Sequence, residues 1–226
     1  MPGTYSPKPH HPEQVLNDVF TLAYGPDGTL WAAERSTGRV VHLDADLAYE
    51  GSFKADASDL TGIAISPKGE VWVAGGDDKL RVYDADGNPL REFAGDSSAP
   101  ILRGFRLAFN PAGDLAVVDT YRGTGQDVEL RLYSPSGSTV ASVEVKDAPF
   151  GGSPSLSWDP SGFWIVCQGG IFFVDAKGKF AGTAQTIDGN PFVAVPAMGI
   201  SAKGDWILDE TPTGAGADLY RLVNKP

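Results

Sequence analysis

The fold is decided by two stretches that repeat one pattern: residues 26–47, PDGTLWAAERSTGRVVHLDADL, and residues 67–93, PKGEVWVAGGDDKLRVYDADGNPLREF. Each begins with a turn in which Pro presets φ and Gly accepts a positive φ. Each continues with a short apolar strand containing Trp, a polar corner, and a strand in which polar and apolar residues alternate. Because similar stretches follow Pro111, Pro160 and Ala202, the sequence carries five copies of one unit.

The turn glycines set the period of the repeat. They stand at Gly28, Gly69, Gly113, Gly162 and Gly204, so successive copies are 41, 44, 49 and 42 residues apart. A strand-like run precedes each turn, and a fourth, more polar strand follows in several copies. Four antiparallel strands at this period are typical of a β-propeller blade. We therefore predict an all-β protein, a β-propeller of five blades with four antiparallel strands each, formed as a single domain over residues 1–226. The predicted repeats span about 18–56, 60–96, 103–147, 153–187 and 194–225.

The composition agrees with this prediction and excludes some partners. The chain has 28 Gly and 17 Pro in 226 residues, and both residue types break helices. A net charge of −11 argues against nucleic acid or an anionic membrane surface as the main partner. Cys167 is the one cysteine, so no intrachain disulfide forms. We expect no membrane insertion, because no apolar run approaches a membrane span; no signal peptide is recognisable, and the compartment stays open.

Closure is the physical problem of a propeller, because an open ring exposes strand edges. The fifth copy runs out after its third strand, at residues 225–226. Counting back from Phe20 by the spacing of the other copies places a candidate fourth strand near residues 4–6. We expect this N-terminal strand to complete the last blade, at an edge where the flanking Pro2 and Pro7 are tolerated.

The candidate ligand-binding residues lie on one predicted face of the propeller. The loops that join second to third strands, and one blade to the next, meet there, and loops on a rigid scaffold commonly carry function. These candidates are Glu34, Arg35, Asp77, Arg103, Arg106, Asp119, Tyr121, Arg122, Gln168, Asp209 and Glu210. Arg106 stands on a predicted first strand, so we expect it near the axis with Arg103 close by. There it could hold an anionic ligand or pair with an acidic neighbour.

Four carboxylates recur in these loops, at Glu34, Asp77, Asp119 and Asp209. If their oxygens converged they could hold a hard cation such as Ca²⁺. The alternative is that acidic residues at strand ends cap backbone N–H groups and keep the protein soluble. We favour the alternative, because spacing along the chain does not establish convergence. The prediction is therefore no cofactor, with Ca²⁺ as the open alternative.

The repeated segments resemble NHL repeats. These typically run from a Pro-x-Gly turn through an apolar strand and a polar corner to a second strand with an aromatic residue and Asp at its end. The best matches are VDT at residues 118–120 and LRVYD at residues 80–84, whereas the corners at 34–39 and 74–79 lack the usual Asn. The resemblance covers about residues 18–225 and implies a propeller. NHL propellers commonly have six blades, while five copies are counted here.

Two function classes remain open. The first is a non-catalytic binding or scaffold propeller that presents loops to a protein, glycan or small-molecule ligand, including as a structural component of a larger assembly. The absence of a Gly-x-Ser-x-Gly elbow, a phosphate loop or a His-Glu-x-x-His motif favours it. The resemblance supplies the alternative, a metal-assisted, lactonase-like hydrolase or lyase acting at the channel mouth. Such enzymes use channel-lining carboxylates, and the predicted first strands here contain no Asp or Glu. The sequence thus favours a binding role over a catalytic one.

Overall fold

A computed structural model describes residues 16–57, 59–119, 127–149, 154–167, 170–184, 186–187, 190–191, 197–200, 206–210 and 218–222. Within these it describes the backbone alone for residue 127, for 146–149 and from 184 onward. All regular structure in the described residues is β, as predicted. The N-terminal strand predicted at residues 4–6 lies outside them.

Four antiparallel sheets of four strands follow one another along the chain, and in each the strands pair in chain order. Blade 1 consists of β1 (Val19–Tyr24), β2 (Leu30–Glu34), β3 (Arg39–Leu43) and β4 (Tyr49–Lys54). Blade 2 consists of β5 (Gly62–Ile65), β6 (Val71–Ala74), β7 (Leu80–Tyr83) and β8 (Pro89–Phe93). After a hairpin of β9 (Gly95–Asp96) and β10 (Ala99–Pro100), blade 3 consists of β11 (Gly104–Phe109), β12 (Leu115–Asp119), β13 (Asp127–Tyr133) and β14 (Thr139–Pro149). Blade 4 consists of β15 (Ser155–Asp159), β16 (Gly162–Cys167), β17 (Gly170–Asp175) and β18 (Phe180–Ala184).

The fifth repeat corrects the predicted blade count. After a hairpin of β19 (Thr186–Ile187) and β20 (Asn190–Pro191), it forms a three-stranded sheet of β21 (Ala197–Ile200), β22 (Trp206–Glu210) and β23 (Asp218–Leu222). The described residues therefore form four complete blades, and the prediction of five was wrong. The physical reason is that a complete blade needs a fourth strand along β23, and no described strand pairs with that edge.

The first strands of the five sheets lie side by side in the order β1, β5, β11, β15 and β21. Sheets that radiate from such a row of inner strands form a β-propeller. In blades 1 to 4 the first strand runs from the segment that enters the blade toward the tight turn before the second strand. We call the end with the connections and second-to-third loops the upper face, and the end with the tight turns the lower face.

The predicted Pro-x-Gly turns are confirmed on the lower face. Gly28, Gly69 and Gly113 have φ values of 86°, 81° and 89°, in the left-handed region that glycine adopts without strain. The backbone N–H of each donates to the carbonyl oxygen three residues earlier, over 2.9–3.0 Å between nitrogen and oxygen. These turns reverse the chain between first and second strands, so the repeat spacing read from the sequence sets the strand boundaries.

The core lies between blades. In β6, Val71 and Val73 pack in the cluster shared with blade 1, whereas Trp72 and Ala74 pack in the cluster shared with blade 3. Because successive strand residues point to opposite faces of the sheet, both faces of blade 2 are buried. Burial of such side chains contributes roughly 1.5–3 kcal/mol for each large apolar residue.

Candidate functional site

Two of the predicted carboxylates are buried on the upper face. The Glu34 carboxylate is fully buried and accepts two hydrogen bonds from the Arg39 guanidinium, over 2.6 and 2.9 Å. It also accepts one from the Asn17 backbone N–H over 2.8 Å and one from the Thr37 hydroxyl over 2.8 Å. Glu34 therefore ties the segment that enters blade 1 to the second-to-third loop of the same blade.

Asp119 takes the same position in blade 3. It is fully buried and accepts hydrogen bonds from the backbone N–H groups of Leu102 and Arg103, over 2.8 and 2.7 Å. The Arg131 Nε lies 2.8 Å from Asp119 Oδ2, in an ion pair whose geometry does not make it a hydrogen bond. The segment that enters blade 3 is therefore held as the entrance to blade 1 is.

Blade 2 departs from this pattern. Gly75 stands three residues after Trp72, where blade 1 has Glu34 three residues after Trp31. The carboxylate comes instead from Asp77, which accepts hydrogen bonds from the Arg81 guanidinium over 3.1 and 2.8 Å. An arginine of the third strand thus meets a carboxylate at or just after the end of the second strand in all three blades.

The described carboxylates do not converge on a common centre. Glu34, Asp77 and Asp119 each pair with an arginine of their own blade. In the part of the chain that the structure describes, no group of three or more His, Cys, Asp or Glu side chains is placed to hold a metal ion. The side chains of Asp209 and Glu210, and all of Tyr121, Arg122 and Gln168, lie outside the described residues. Their predicted roles, and that of Ca²⁺, stay predictions.

Arg106 brings several blades together near the axis. Its residue is 9 % exposed, and it lies on β11, where the sequence predicted it. Its Nε donates to the Pro154 carbonyl oxygen of blade 4 over 2.8 Å, and its Nη1 donates to the Thr61 carbonyl oxygen at the entrance to blade 2. Among the described residues no carboxylate pairs with this cation, which is unusual for a buried charge.

Two phenylalanines cover the Arg106 guanidinium. Its Cζ lies 4.6 Å from the centre of the Phe20 ring and 4.8 Å from that of Phe105. The two rings meet edge to face, with 5.9 Å between their centres. Such contacts with ring faces attract a cation and partly replace the water it has lost.

Arg35 supplies a second cation at the same place. Its Cζ lies 4.5 Å from the centre of the Phe20 ring, so Phe20 contacts both guanidinium groups. Arg35 is more exposed than Arg106 and pairs with Asp59, with 2.6 Å between Nε and Oδ1. Burial, with the positive charge of Arg35 as the smaller cause, lowers the pKa of Arg106 to about 10. Arg106 is still charged at neutral pH and would gain from an anion.

The positions aligned with Arg106 in the other blades carry small residues. They are Thr21 in blade 1, Gly62 in blade 2 and Ser155 in blade 4, judged by their pairing with the second strands. A Cβ on Gly62 would lie 3.3 Å from the Cα of Arg106, so the glycine lets β5 approach β11 closely. We call Arg35, Arg106, Phe20 and Phe105 the channel-mouth cluster.

The sequence predicted the arginines of the channel-mouth cluster but not the residues that contact them. Arg35, Arg103 and Arg106 were predicted, and the Arg103 backbone lies at the entrance to blade 3 beside Asp119. Phe20, Thr61 and Pro154 were not predicted as site residues. Their one signal is position, since each stands in or just before the first strand of its blade.

The comparisons with known proteins support the fold. No protein-family model matches the chain, and no curated protein matches it. Among solved structures, hydrazine synthase from Kuenenia stuttgartiensis is 15 % identical, with a TM-score of 0.63 over 95 % of this chain and 69 % of that chain. A protein of unknown function from Bacteroides caccae is 16 % identical, with a TM-score of 0.58 over 84 % and 69 %. A chain of the mitotic checkpoint complex is 19 % identical, with a TM-score of 0.60 over 91 % and 62 %.

These similarities agree with the row of radiating sheets and show a β-propeller fold. At such identities they say nothing of activity. The NHL resemblance has no matching family model behind it. The part of the chain that the structure describes contains no candidate for a membrane-spanning helix.

Proposed function

We propose that this chain is a non-catalytic binding propeller of NHL-like repeats that holds the anionic group of its ligand at the channel-mouth cluster. The observation that carries the proposal is Arg106, a buried cation with no carboxylate partner among the described residues. A guanidinium presents a planar fork of donors that matches a carboxylate or a phosphate. Two backbone carbonyl groups use part of that fork, and an anion would use the rest.

Electrostatics support the same ligand class. The buried charge of Arg106 is destabilised by lost hydration and by Arg35, as its lowered pKa records. An anion between the two guanidinium groups would relieve both effects. Because the whole chain carries a net charge of −11, the ligand is proposed to be a small acid, or a single acidic group of a glycan or protein, rather than a polyanion such as nucleic acid.

The test is thermal unfolding with citrate or inorganic phosphate as the probe. An anion at about a hundred times its Kd should stabilise the protein by about 2.7 kcal/mol, or roughly 5–10 °C in melting temperature at this chain length. Arg106→Gln should lose that increment. Lys177→Gln, in an exposed lower-face turn, makes the same change in net charge and should keep it.

Citrate and phosphate also stabilise proteins without binding a site. The decisive measurement is therefore the difference in the rise of melting temperature between Arg106→Gln and the parent chain. An equal rise in Arg106→Gln and in the parent chain contradicts the proposal. If Arg106→Gln does not fold, Arg106→Lys keeps the charge without the fork, and the proposal then requires a reduced rise.

A further inference from the structure

A cavity of about 370 Å³ lies between blades 2 and 3 on the lower face. It lies at the other end of the blades from the channel-mouth cluster. Its inner wall consists of large apolar side chains of both blades, and its rim of turn residues, Lys68, Glu70 and Arg91. The inner wall comprises Trp72, Phe93, Phe109, Leu115 and Tyr133. We call this cavity the lower cleft.

The aromatic side chains in the wall of the lower cleft hold one another in fixed orientations. The Trp72 ring meets Phe93 and Phe109 edge to face, with ring centres 5.7 and 5.6 Å apart. Phe93 meets Tyr133 in the same way at 5.0 Å. The Tyr133 hydroxyl donates to the Ala99 carbonyl oxygen over 2.6 Å, so this buried polar group is satisfied. The wall therefore offers an apolar surface with fixed ring orientations.

At the rim, Arg91 occupies a cation-binding position formed by the Trp72 ring and the Glu70 carboxylate, which we call the seat. Its guanidinium carbon lies 5.1 Å from the centre of the Trp72 ring. Both of its terminal nitrogens donate to the Glu70 carboxylate, over 2.7 and 2.9 Å. The Trp72 Nε1 donates to the same carboxylate over 3.2 Å. The hydrogen bonds from Arg91 hold the pKa of Glu70 below its usual range, although burial opposes them.

The Arg91 side chain can leave the seat at little cost in free energy. Arg91 lies on β8, an exposed outer strand, and its side chain is 47 % exposed. Ion pairs as exposed as this one contribute little to stability, because water and salt screen them. Glu70, by contrast, is 23 % exposed and is held by Trp72, so the carboxylate and the ring stay in place when the arginine swings away.

We propose that the lower cleft binds an extended segment of a partner protein that presents an arginine beside a large apolar side chain. The partner's guanidinium replaces Arg91 on Trp72 and Glu70, and the apolar side chain enters the cleft. Arg91 itself shows which chemistry the seat accepts, since a ring face and a carboxylate together favour a planar cation. The net charge of −11 favours a basic partner. Lys68 on the rim opposes it and keeps the affinity modest.

The test measures calorimetric binding of the dipeptide amide acetyl-Leu-Arg-NH₂, with acetyl-Leu-Gln-NH₂ as the neutral probe. Removal of the internal competitor by Arg91→Ala should tighten binding of the arginine probe about fivefold. Glu70→Gln should weaken it at least tenfold, because the charged partner is lost. Lys79→Ala is the matched control, because it removes one positive charge from a pair with Glu92 outside the cleft and should leave the affinity unchanged.

The opposite signs of the two cleft variants distinguish this site from general attraction to an acidic protein. Binding that appears only in Arg91→Ala contradicts the proposal, because it shows that the partner's guanidinium does not displace Arg91 in the parent chain. No binding to either the parent chain or Arg91→Ala overturns it. Equal affinities for the arginine and glutamine probes, or an Arg91→Ala effect no larger than that of Lys79→Ala, overturn it as well. Melting curves of each variant confirm that the blades are intact.

Discussion

Glu34 is a fully buried carboxylate with every hydrogen bond supplied by its own blade and its entrance segment. A buried ion pair adds little to stability compared with an apolar pair, but removal of one partner leaves an uncompensated charge. Glu34 therefore acts as a clamp between the start of β1 and the end of β2. Asp119 does the same for blade 3.

Glu34→Gln should lower the free energy of unfolding by about 2–4 kcal/mol, because it removes the negative charge beside the Arg39 guanidinium and weakens the four hydrogen bonds that the carboxylate accepts. Urea unfolding measures the change. Glu92→Gln is the control, since Glu92 pairs with Lys79 on the exposed surface, and it should change stability by about 0–1 kcal/mol. Equal effects of the two substitutions would contradict the clamp.

The pH dependence gives the same prediction a second measurement. Burial alone would raise the pKa of Glu34, but the hydrogen bonds from Arg39, Asn17 and Thr37 outweigh it and hold the pKa below its usual range. A carboxyl with a lowered pKa contributes stability that is complete above its unfolded value and is lost as the pH falls through its folded value. Glu34→Gln should therefore flatten the fall of melting temperature below about pH 4.5 and change its slope little above it.

At this scale the sequence predicted positions better than partners. Glu34, Asp77 and Asp119 stand at or after the ends of second strands, and the structure places them on the predicted face. Whether such a side chain points to the axis or to its own blade depends on the arginine that pairs with it. The distance to that arginine along the chain varies: Arg39 follows Glu34 by five residues, and Arg131 follows Asp119 by twelve. Arg106 was expected near the axis, but its partners come from three other blades, which no spacing reveals.

Among the strands, β5 and β11 approach each other closely where Gly62 begins β5. A Cβ added there would lie 2.6 Å from the Phe105 carbonyl oxygen, and that backbone atom cannot move independently of β11. The backbone at Gly62 needs no left-handed conformation, so its requirement for glycine is one of space alone. The same approach sets the distance between blades 2 and 3 beneath Arg106.

Gly62→Ala should destabilise the protein by about 1–3 kcal/mol through overpacking. Gly51→Ala is the matched control, because that glycine also lies in a strand, with nothing within 4 Å of an added Cβ. Its substitution should be neutral or slightly stabilising, since alanine restricts the unfolded chain. Chemical unfolding of both variants decides the prediction, which fails if Gly62→Ala is as stable as Gly51→Ala.

The strands were predicted from the sequence more completely than the contacts between side chains. All five predicted first strands are present. In the sequence each precedes a glycine at a fixed place in the repeat, and the structure describes the turn at that glycine in the first four copies. The hairpins at Gly95–Asp96 with Ala99–Pro100 and at Thr186–Ile187 with Asn190–Pro191 were not predicted. Each strand in them has two residues, too short for any alternation to show. The lower cleft was missed because its walls come from five strands of two blades.

At the scale of the whole molecule, the face of blade 1 that points away from blade 2 is less completely buried than the two faces of blade 2. Ala32, Val41 and Leu43 form a buried cluster on the side away from blade 2, while Leu22 and Tyr24 on β1 are 55 % and 70 % exposed. At the other end of the row, β23 forms the edge of the three-stranded sheet in the described residues. Repeat counting did not predict this, because each copy specifies its neighbours and leaves the junction between last and first blades undetermined.

The N-terminal closure predicted from the sequence concerns that junction and remains open to a direct test. If residues 4–6 supply the fourth strand along β23, deletion of residues 1–9 exposes a strand edge and should lower the melting temperature by several degrees, since loss of about 1–2 kcal/mol corresponds to roughly 2–8 °C at this chain length. Deletion of residues 1–3 removes part of the same segment without the proposed strand and should leave the melting temperature unchanged. Equal melting temperatures for the two deletions would show that the last sheet does not use these residues, and the edge of β23 must then be covered or left open by other means.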